Sequence, residues 1–203
     1  MGNNTQKEAK RTAARADRTL TETALIALFT AIIAVCAWVQ IPFLSAVPFT
    51  MQTFGIFAAL LFLGGKNGTF SVGLYLLLGA VGAPVFSGFR GGIGALAGVT
   101  GGYLTGFLLG ALVFWGIEAA AAKRNLVGKA VRIAGLAACL AVCYFFGTCW
   151  FSIVHEGALN AANLAAAFTA CVVPFIVPDI IKLFLSAILY DRLSKVLSRF
   201  HRQ

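Results

Sequence analysis

Residues 98–152 read GVTGGYLTGFLLGALVFWGIEAAAAKRNLVGKAVRIAGLAACLAVCYFFGTCWFS. Two long apolar runs, 98–122 and 129–152, flank a short junction carrying Lys123, Arg124, Lys129 and Arg132. A bilayer's hydrocarbon core is about 30 Å thick and takes about 20 helical residues to cross, so each run is long enough for one span. Backbone groups in lipid must be satisfied within a helix or a closed barrel, and the period-two alternation of barrel strands is absent here. The stretch reads as two membrane helices joined by a basic turn.

The rest of the chain has the same character. Its 203 residues are 60% hydrophobic and 11% charged, with a mean hydropathy of +0.88, whereas a soluble domain carries about 25% charged residues. Too few polar residues remain to cover a water-facing surface. Further apolar segments at about 20–41, 49–64, 68–86 and 164–191 bring the expected number of spans to six. The reading is an all-α integral membrane protein of six transmembrane helices. Residues 1–19 form a basic cytoplasmic tail, and 20–203 a single six-helix membrane domain. The tail resembles the charged region of a signal peptide, but segment one exceeds a signal peptide's apolar core and no small-residue cleavage site follows. An uncleaved first helix is expected.

Charge placement sets the orientation. Lys7, Lys10, Arg11, Arg15 and Arg18 precede segment one, Lys66 lies between segments two and three, and Arg192, Lys195, Arg199 and Arg202 follow segment six. With the four–five junction, fourteen of the sixteen Lys and Arg residues fall on one side of a six-span chain. Basic residues concentrate on the cytoplasmic side, so both termini are expected there. The net charge of +9 is therefore topology, and nucleic acid is not an expected partner.

Arg90 and Lys182 stand outside that pattern. In segment six, Asp179 and Lys182 are three residues apart and share a helix face. Lys182 lies ten residues before Arg192, about 15 Å along a helix, which puts it near the midplane. A charge there costs about 2.5–3.5 kcal/mol and normally faces a cavity with a partner. Pro174 and Pro178 approach the pair, and proline removes a backbone donor, so the last helix is expected to break near Pro174–Pro178 and restart with Pro178 in its first turn. Broken membrane helices line cavities. Arg90 sits in the glycine-rich run Gly88–Gly94, too glycine-rich for a stable helix and flanked by Phe86 and Phe89, which favours projection into a pocket. Arg90, Asp179 and Lys182 together carry one net positive charge, suited to a monoanionic ligand that also offers N–H donors. A self-neutralising ion pair and an ordinary packing kink are the structural alternatives.

Other patterns read as packing. Gly98, Gly102, Gly106 and Gly110 recur every four residues in segment four, a spacing that lets membrane helices approach closely. Ala27 and Ala31, with Ala24 and Ala34 nearby, form a small-residue stripe that either packs internally or docks another membrane subunit. The five cysteines all lie in apolar segments, so neither a metal site nor a disulfide framework is expected. Gly92–Gly98 spaces its glycines GxGxxxG, one residue too long for a dinucleotide fingerprint, and Gly64-Gly65-Lys66-Asn67 lacks the spacing and hydroxyl of a P-loop. No HExxH occurs, and the two histidines, His155 and His201, have no placed nucleophile. No cofactor is implied.

The stretch from Val47 to Phe107 carries a family resemblance. Its pieces are the VPFT-x-Q entry to segment two, the LGGK-x-G turn, LYLLLGAVGAPVF, GG-x-G and TGGYL-x-GF, joined downstream by PFIVPDIIK at 174–182. Together they resemble the biotin-specific substrate-binding subunit, or S component, of energy-coupling-factor (ECF) transporters, the BioY family. The resemblance implies a six-helix, high-affinity vitamin-binding protein that docks on a transmembrane coupling subunit bearing two ATPases. Ala27 and Ala31 would supply the docking face on helix one. Arg90, Asp179 and Lys182 fall on the family's polar ligand contacts, and Gln52, Tyr75 and Tyr103 would line the same cavity. Val99 stands where the family usually has proline, and Pro178 where it usually has glycine. Biotin's carboxylate would meet Arg90 or Lys182 and its ureido N–H groups Asp179. An S component for another small anionic vitamin, a membrane enzyme using Asp179 and Lys182, and a purely structural membrane subunit are the competing readings.

Overall fold

The computed structural model describes residues 2–41, 48–155 and 157–200, with side chains between residues 15 and 195. Val47, His201 and Arg202 lie outside the described residues, as do the side chains of Lys7, Lys10, Arg11 and Arg199. The order is α1 (Gly2–Trp38), β1 (Gln40–Ile41), β2 (Phe49–Thr50), α2 (Gln52–Ala80), α3 (Ile93–Ala97), α4 (Gly101–Lys123), α5 (Lys129–His155), α6 (Ala161–Cys171) and α7 (Val173–Phe200). Among the described residues, five stretches are long and apolar enough to cross a membrane: Arg15–Trp38, α2, α4, α5 and Val173–Lys195. The expectation of an α-helical membrane protein holds at that level.

Two differences from the sequence reading have local causes. The second and third expected segments form one element, α2, interrupted only at Gly64 (φ 73°, ψ 170°). A Cβ on Gly68 would lie 2.8 Å from the Cα of Leu60, yet residues eight apart in a straight helix are about 12 Å apart. The chain therefore folds back at Gly64, a left-handed position that glycine takes without steric cost. Glu118 receives the freed Gly65 N–H at 2.5 Å. The second difference concerns the last segment. Its break falls at Val172 (φ −121°, ψ −53°), before both prolines and not between them. Val172 O accepts from Phe175 N and Ile176 N, so Pro174 occupies the first turn of α7, where a missing N–H costs nothing. Pro178 lies inside α7, not at its start.

Small and hydroxyl residues fasten the helices, as lipid-embedded packing requires. Cβ atoms on Gly106 and Gly110 would press on the backbone of Cys143 and Cys139, so α4 and α5 touch backbone to backbone. Gly102 meets Trp150 of α5, and Trp150 Nε1 donates to Gly98 O at 2.9 Å, so Gly98 joins that seam through its carbonyl although a Cβ on it would meet only its own turn. Thr30 Oγ1 donates to Ser71 O at 3.1 Å, and Thr69 Oγ1 to Ala111 O at 3.1 Å, tying α1 and α4 to the second half of α2. Ile33, Ile56, Leu60, Tyr75, Phe114 and Leu136 fill the buried core between them.

The connections build two loops at one end. β1 and β2 pair antiparallel, Gln40 with Thr50 and Ile41 with Phe49. The 81–92 loop closes on itself through Phe86 N donating to Arg90 O at 2.9 Å, and Gly92 N to Gly79 O at 2.6 Å. The short helix α3 begins only at Ile93, after the glycines. At the other end, the Gly64 turn faces Arg18, Lys66, Trp115 and Glu118 across one cleft, while Lys129 and Arg132 meet Tyr190 and Asp191 across a second.

Candidate functional site

The cavity lies among α2, α4, α5 and α7 beneath the two loops. It encloses about 750 Å³ of empty space including its open mouth, and Arg90, Gln52, Tyr103, Asp179 and Lys182 all line it. Five of the six expected ligand residues are thus brought to one cavity from three separate helices and a loop. Tyr75 is the exception. It is fully buried and packs edge-on behind Phe86, with ring centroids 5.4 Å apart, so its role is to back the cavity wall.

The floor is an ion pair. Asp179 and Lys182 are each 4% exposed, and Lys182 Nζ donates to Asp179 Oδ1 at 2.8 Å. Their spacing on α7 makes the contact within one turn. Lys182 also donates to Thr50 O at 2.6 Å and stands 4.1 Å from the centre of the Phe49 ring, so this ammonium group ties the β1–β2 strands to α7 beside the stacked Phe49 and Phe175 rings. The remaining carboxylate oxygen, Oδ2, accepts from the Tyr144 hydroxyl at 2.7 Å. Taking two charges out of water is costly, and apolar residues of like volume would serve stability as well or better. A buried pair with further hydrogen bonds at a cavity wall therefore points to ligand recognition.

The roof is different. Arg90 is exposed, in the loop where Phe89 takes a positive φ of 56°. Its Nε donates to Ser87 O at 3.1 Å, and Ser87 Oγ donates to Gln40 Oε1 at 2.5 Å. Trp38 stacks on Phe89 at 5.0 Å and donates to Pro84 O at 2.8 Å. The loop is pinned so that Arg90 borders the cavity, and among the described residues no carboxylate pairs with it.

The sequence reading missed Tyr144, Thr50 and Phe49. Tyr144 is one aromatic among several in an apolar helix, 35 residues from Asp179, and nothing local marks it. Thr50 contributes a backbone carbonyl, which any residue carries. Tyr103 reaches the cavity because Gly147 leaves room for its ring.

Comparison with known proteins now decides the family. The BioY family model matches residues 6–199. The chain belongs to the BioY family. A relative from Thermotoga maritima named biotin transporter BioY is 41% identical over 169 residues, covering 83% of this chain and 93% of its own. A probable biotin transporter BioY from Pyrococcus horikoshii is 36% identical, covering 85% and 95%. A crystal structure of the S-component for biotin from an ECF-type ABC transporter matches with a TM-score of 0.75 at 26% identity, covering 88% of this chain and 93% of its own. BioY proteins are transporter components and not enzymes. This BioY-family chain is a multi-pass membrane protein.

Proposed function

We propose that this chain is the membrane-embedded, high-affinity biotin-binding S component of an ECF-type vitamin uptake transporter. The observation that carries the reading is the division of charge within one cavity of a BioY-family chain: a compensated acid–base pair at the floor and an uncompensated Arg90 at the mouth. Biotin matches that division. Its carboxylate goes to Arg90, whose guanidinium fork fits a carboxylate bidentately. Lys182 is already neutralised by Asp179 and is the poorer partner. The ureido N–H groups go to Asp179, whose oxygens retain acceptor capacity, and the apolar bicycle to Phe86, Phe107 and Phe175.

The wider assembly follows the same reading. The membrane domain, 20–203, crosses six times, with 52–63 and 65–80 as separate spans, and residues 1–19 form a cytoplasmic tail. The fold-back at Gly64 supports that count. The grouping of Arg18, Lys66, Lys129 and Arg132 at the end away from Arg90 supports cytoplasmic termini in a prokaryotic plasma membrane. Ala27 and Ala31 are exposed, which leaves them free to dock a transmembrane coupling subunit that carries two ATPases. Those partners would supply the energy for inward release.

Equilibrium binding of labelled biotin to the purified protein tests the reading. The expected dissociation constant is below about 1 μM, rising at least about tenfold in Arg90→Ala, or about 1.4 kcal/mol. Absence of sub-micromolar binding to the unmodified protein would remove biotin as the ligand and leave another small anionic vitamin.

A further inference from the structure

A second cleft lies between the start of α5 and residues 187–191 of α7, and it shares no lining residue with the cavity that holds Asp179 and Lys182. It encloses about 550 Å³ of empty space including its open mouth. Its deep residues are apolar, with Leu61 and Ala187 buried beside Ile133, while Lys129, Arg132 and Asp191 give it a charged rim. The depth of this rim follows from helix length. The 27 residues of α5 run about 40 Å against a hydrocarbon core of about 30 Å, so about three residues pass each face. Lys129 and Arg132 open α5 and therefore stand in the headgroup layer, with Ile133 at the edge of the acyl chains.

Residues 118–132 and 190–195, which frame the cleft, carry six Lys and Arg side chains against only Glu118 and Asp191. Exposed cations at this end follow from topology alone. Arg132 does not fit that account. A long arginine at a membrane boundary ordinarily extends its head into water, yet Arg132 is only 26% exposed. It donates to the Tyr190 hydroxyl, stands 5.0 Å from the centre of that ring, and lies 3.8 Å from Glu118. Its guanidinium is thus held in the cleft, and among the described residues only one of its five N–H groups is given to a hydrogen bond. Lys129 keeps two of its three N–H groups after pairing with Asp191.

The geometry points to a binding site for the headgroup of an anionic phospholipid, with its phosphate on Arg132 and Lys129 and the start of an acyl chain against the apolar wall. A guanidinium fork takes a phosphate bidentately, and basic pockets between membrane helices suit anionic headgroups. A free phosphate would leave the apolar wall unused. A choline headgroup would bring its own cation among the six already there. The site is separate from the biotin reading, and its test does not need biotin to bind.

The test uses the full chain in detergent, stripped of co-purified lipid. Non-denaturing mass spectrometry counts the phosphatidylglycerol and phosphatidylcholine retained from an equimolar mixture with matched acyl chains. Each cation beside an anionic lipid contributes about fivefold, so the unmodified protein should prefer phosphatidylglycerol at least about tenfold. Lys129→Gln with Arg132→Gln should cut that preference at least about fivefold. Arg18→Gln with Lys66→Gln, the same loss of charge at the Gly64 cleft, should leave it within about twofold. Inorganic phosphate at matched ionic strength should not displace the bound lipid. No preference in the unmodified protein overturns the proposal, and that measurement needs no variant to fold. An unchanged preference in a monodisperse Lys129, Arg132 variant also overturns it. So does an equal loss in the Arg18, Lys66 variant, which would reduce the effect to overall charge, or displacement by phosphate, which would reduce the site to one for a free anion.

Discussion

Acid–base pairs occupy both ends of this bundle, and they do opposite things. At the basic end, Lys129 pairs with Asp191, while Arg132 lies 3.8 Å from Glu118 and donates to the Tyr190 hydroxyl. Glu118 also holds Gly65 N. Their side chains are 20–62% exposed. They fasten the Gly64 turn, α4, α5 and α7 where water is close. At the cavity end, the Asp179–Lys182 pair is buried, and spare bonding capacity surrounds it: lone pairs on Asp179, the amide of Gln52, and an Arg90 without a carboxylate. Charges paired near water fasten the fold. A buried charge with bonds to spare is the arrangement that the proposed binding function requires.

Lys182→Met attacks that contrast hardest. It leaves Asp179 buried without its cation, a change that typically costs about 3–5 kcal/mol. Biotin binding should fall more than about a hundredfold, and thermal unfolding in detergent should shift down. Adding Asp179→Asn to Lys182→Met removes the orphaned charge, so stability should recover while binding does not. Recovery of both would mean the pair is packing alone, and the distinction between the two ends would collapse.

The fold was largely legible because lipid imposes few solutions. Apolar runs of about 20 residues separated by basic turns admit little but helices, so α4 and α5 could be read within a few residues of their ends. The break in the last segment was legible as an event but misplaced. Proline fixes where a helix tolerates a missing N–H, and Pro174 meets that need in the first turn, with the break one turn earlier than Pro178 suggested. Likewise the tight Gly64 reversal shows in the sequence as Gly-Gly, but whether it separates two helices depends on the close approach of Gly68 to Leu60, a tertiary fact. At the site, Asp179, Lys182 and Arg90 stood out because charges at membrane depth or in an uncharged loop are anomalous. Tyr144 did not. A tyrosine in an apolar helix costs little anywhere, and only folding brings its hydroxyl to a carboxylate 35 positions away.

That hydroxyl gives the intermediate effect. Tyr144→Phe keeps the ring and removes one donor from Asp179 Oδ2. Hydrogen bonds to charged groups are worth about 1.5–3 kcal/mol, so the unfolding temperature should fall, and biotin affinity should fall about tenfold because Asp179 loses a group that fixes its orientation. An unaltered affinity would show that Asp179 is oriented by Lys182 alone.

The smallest effect belongs to the other end. Lys129→Ala breaks the pair with Asp191, whose members are 62% and 36% exposed. Exposed pairs contribute about 0.2–1 kcal/mol, and salt screens them further. The variant should therefore lose a little stability at low ionic strength, less at high, and bind biotin within about twofold of the unmodified protein. Lys129 and Lys182 carry the same formal charge, each beside an aspartate. If removing Lys129 weakened biotin as much as Tyr144→Phe does, burial and spare bonding capacity would no longer separate the ligand-binding charges from the structural ones.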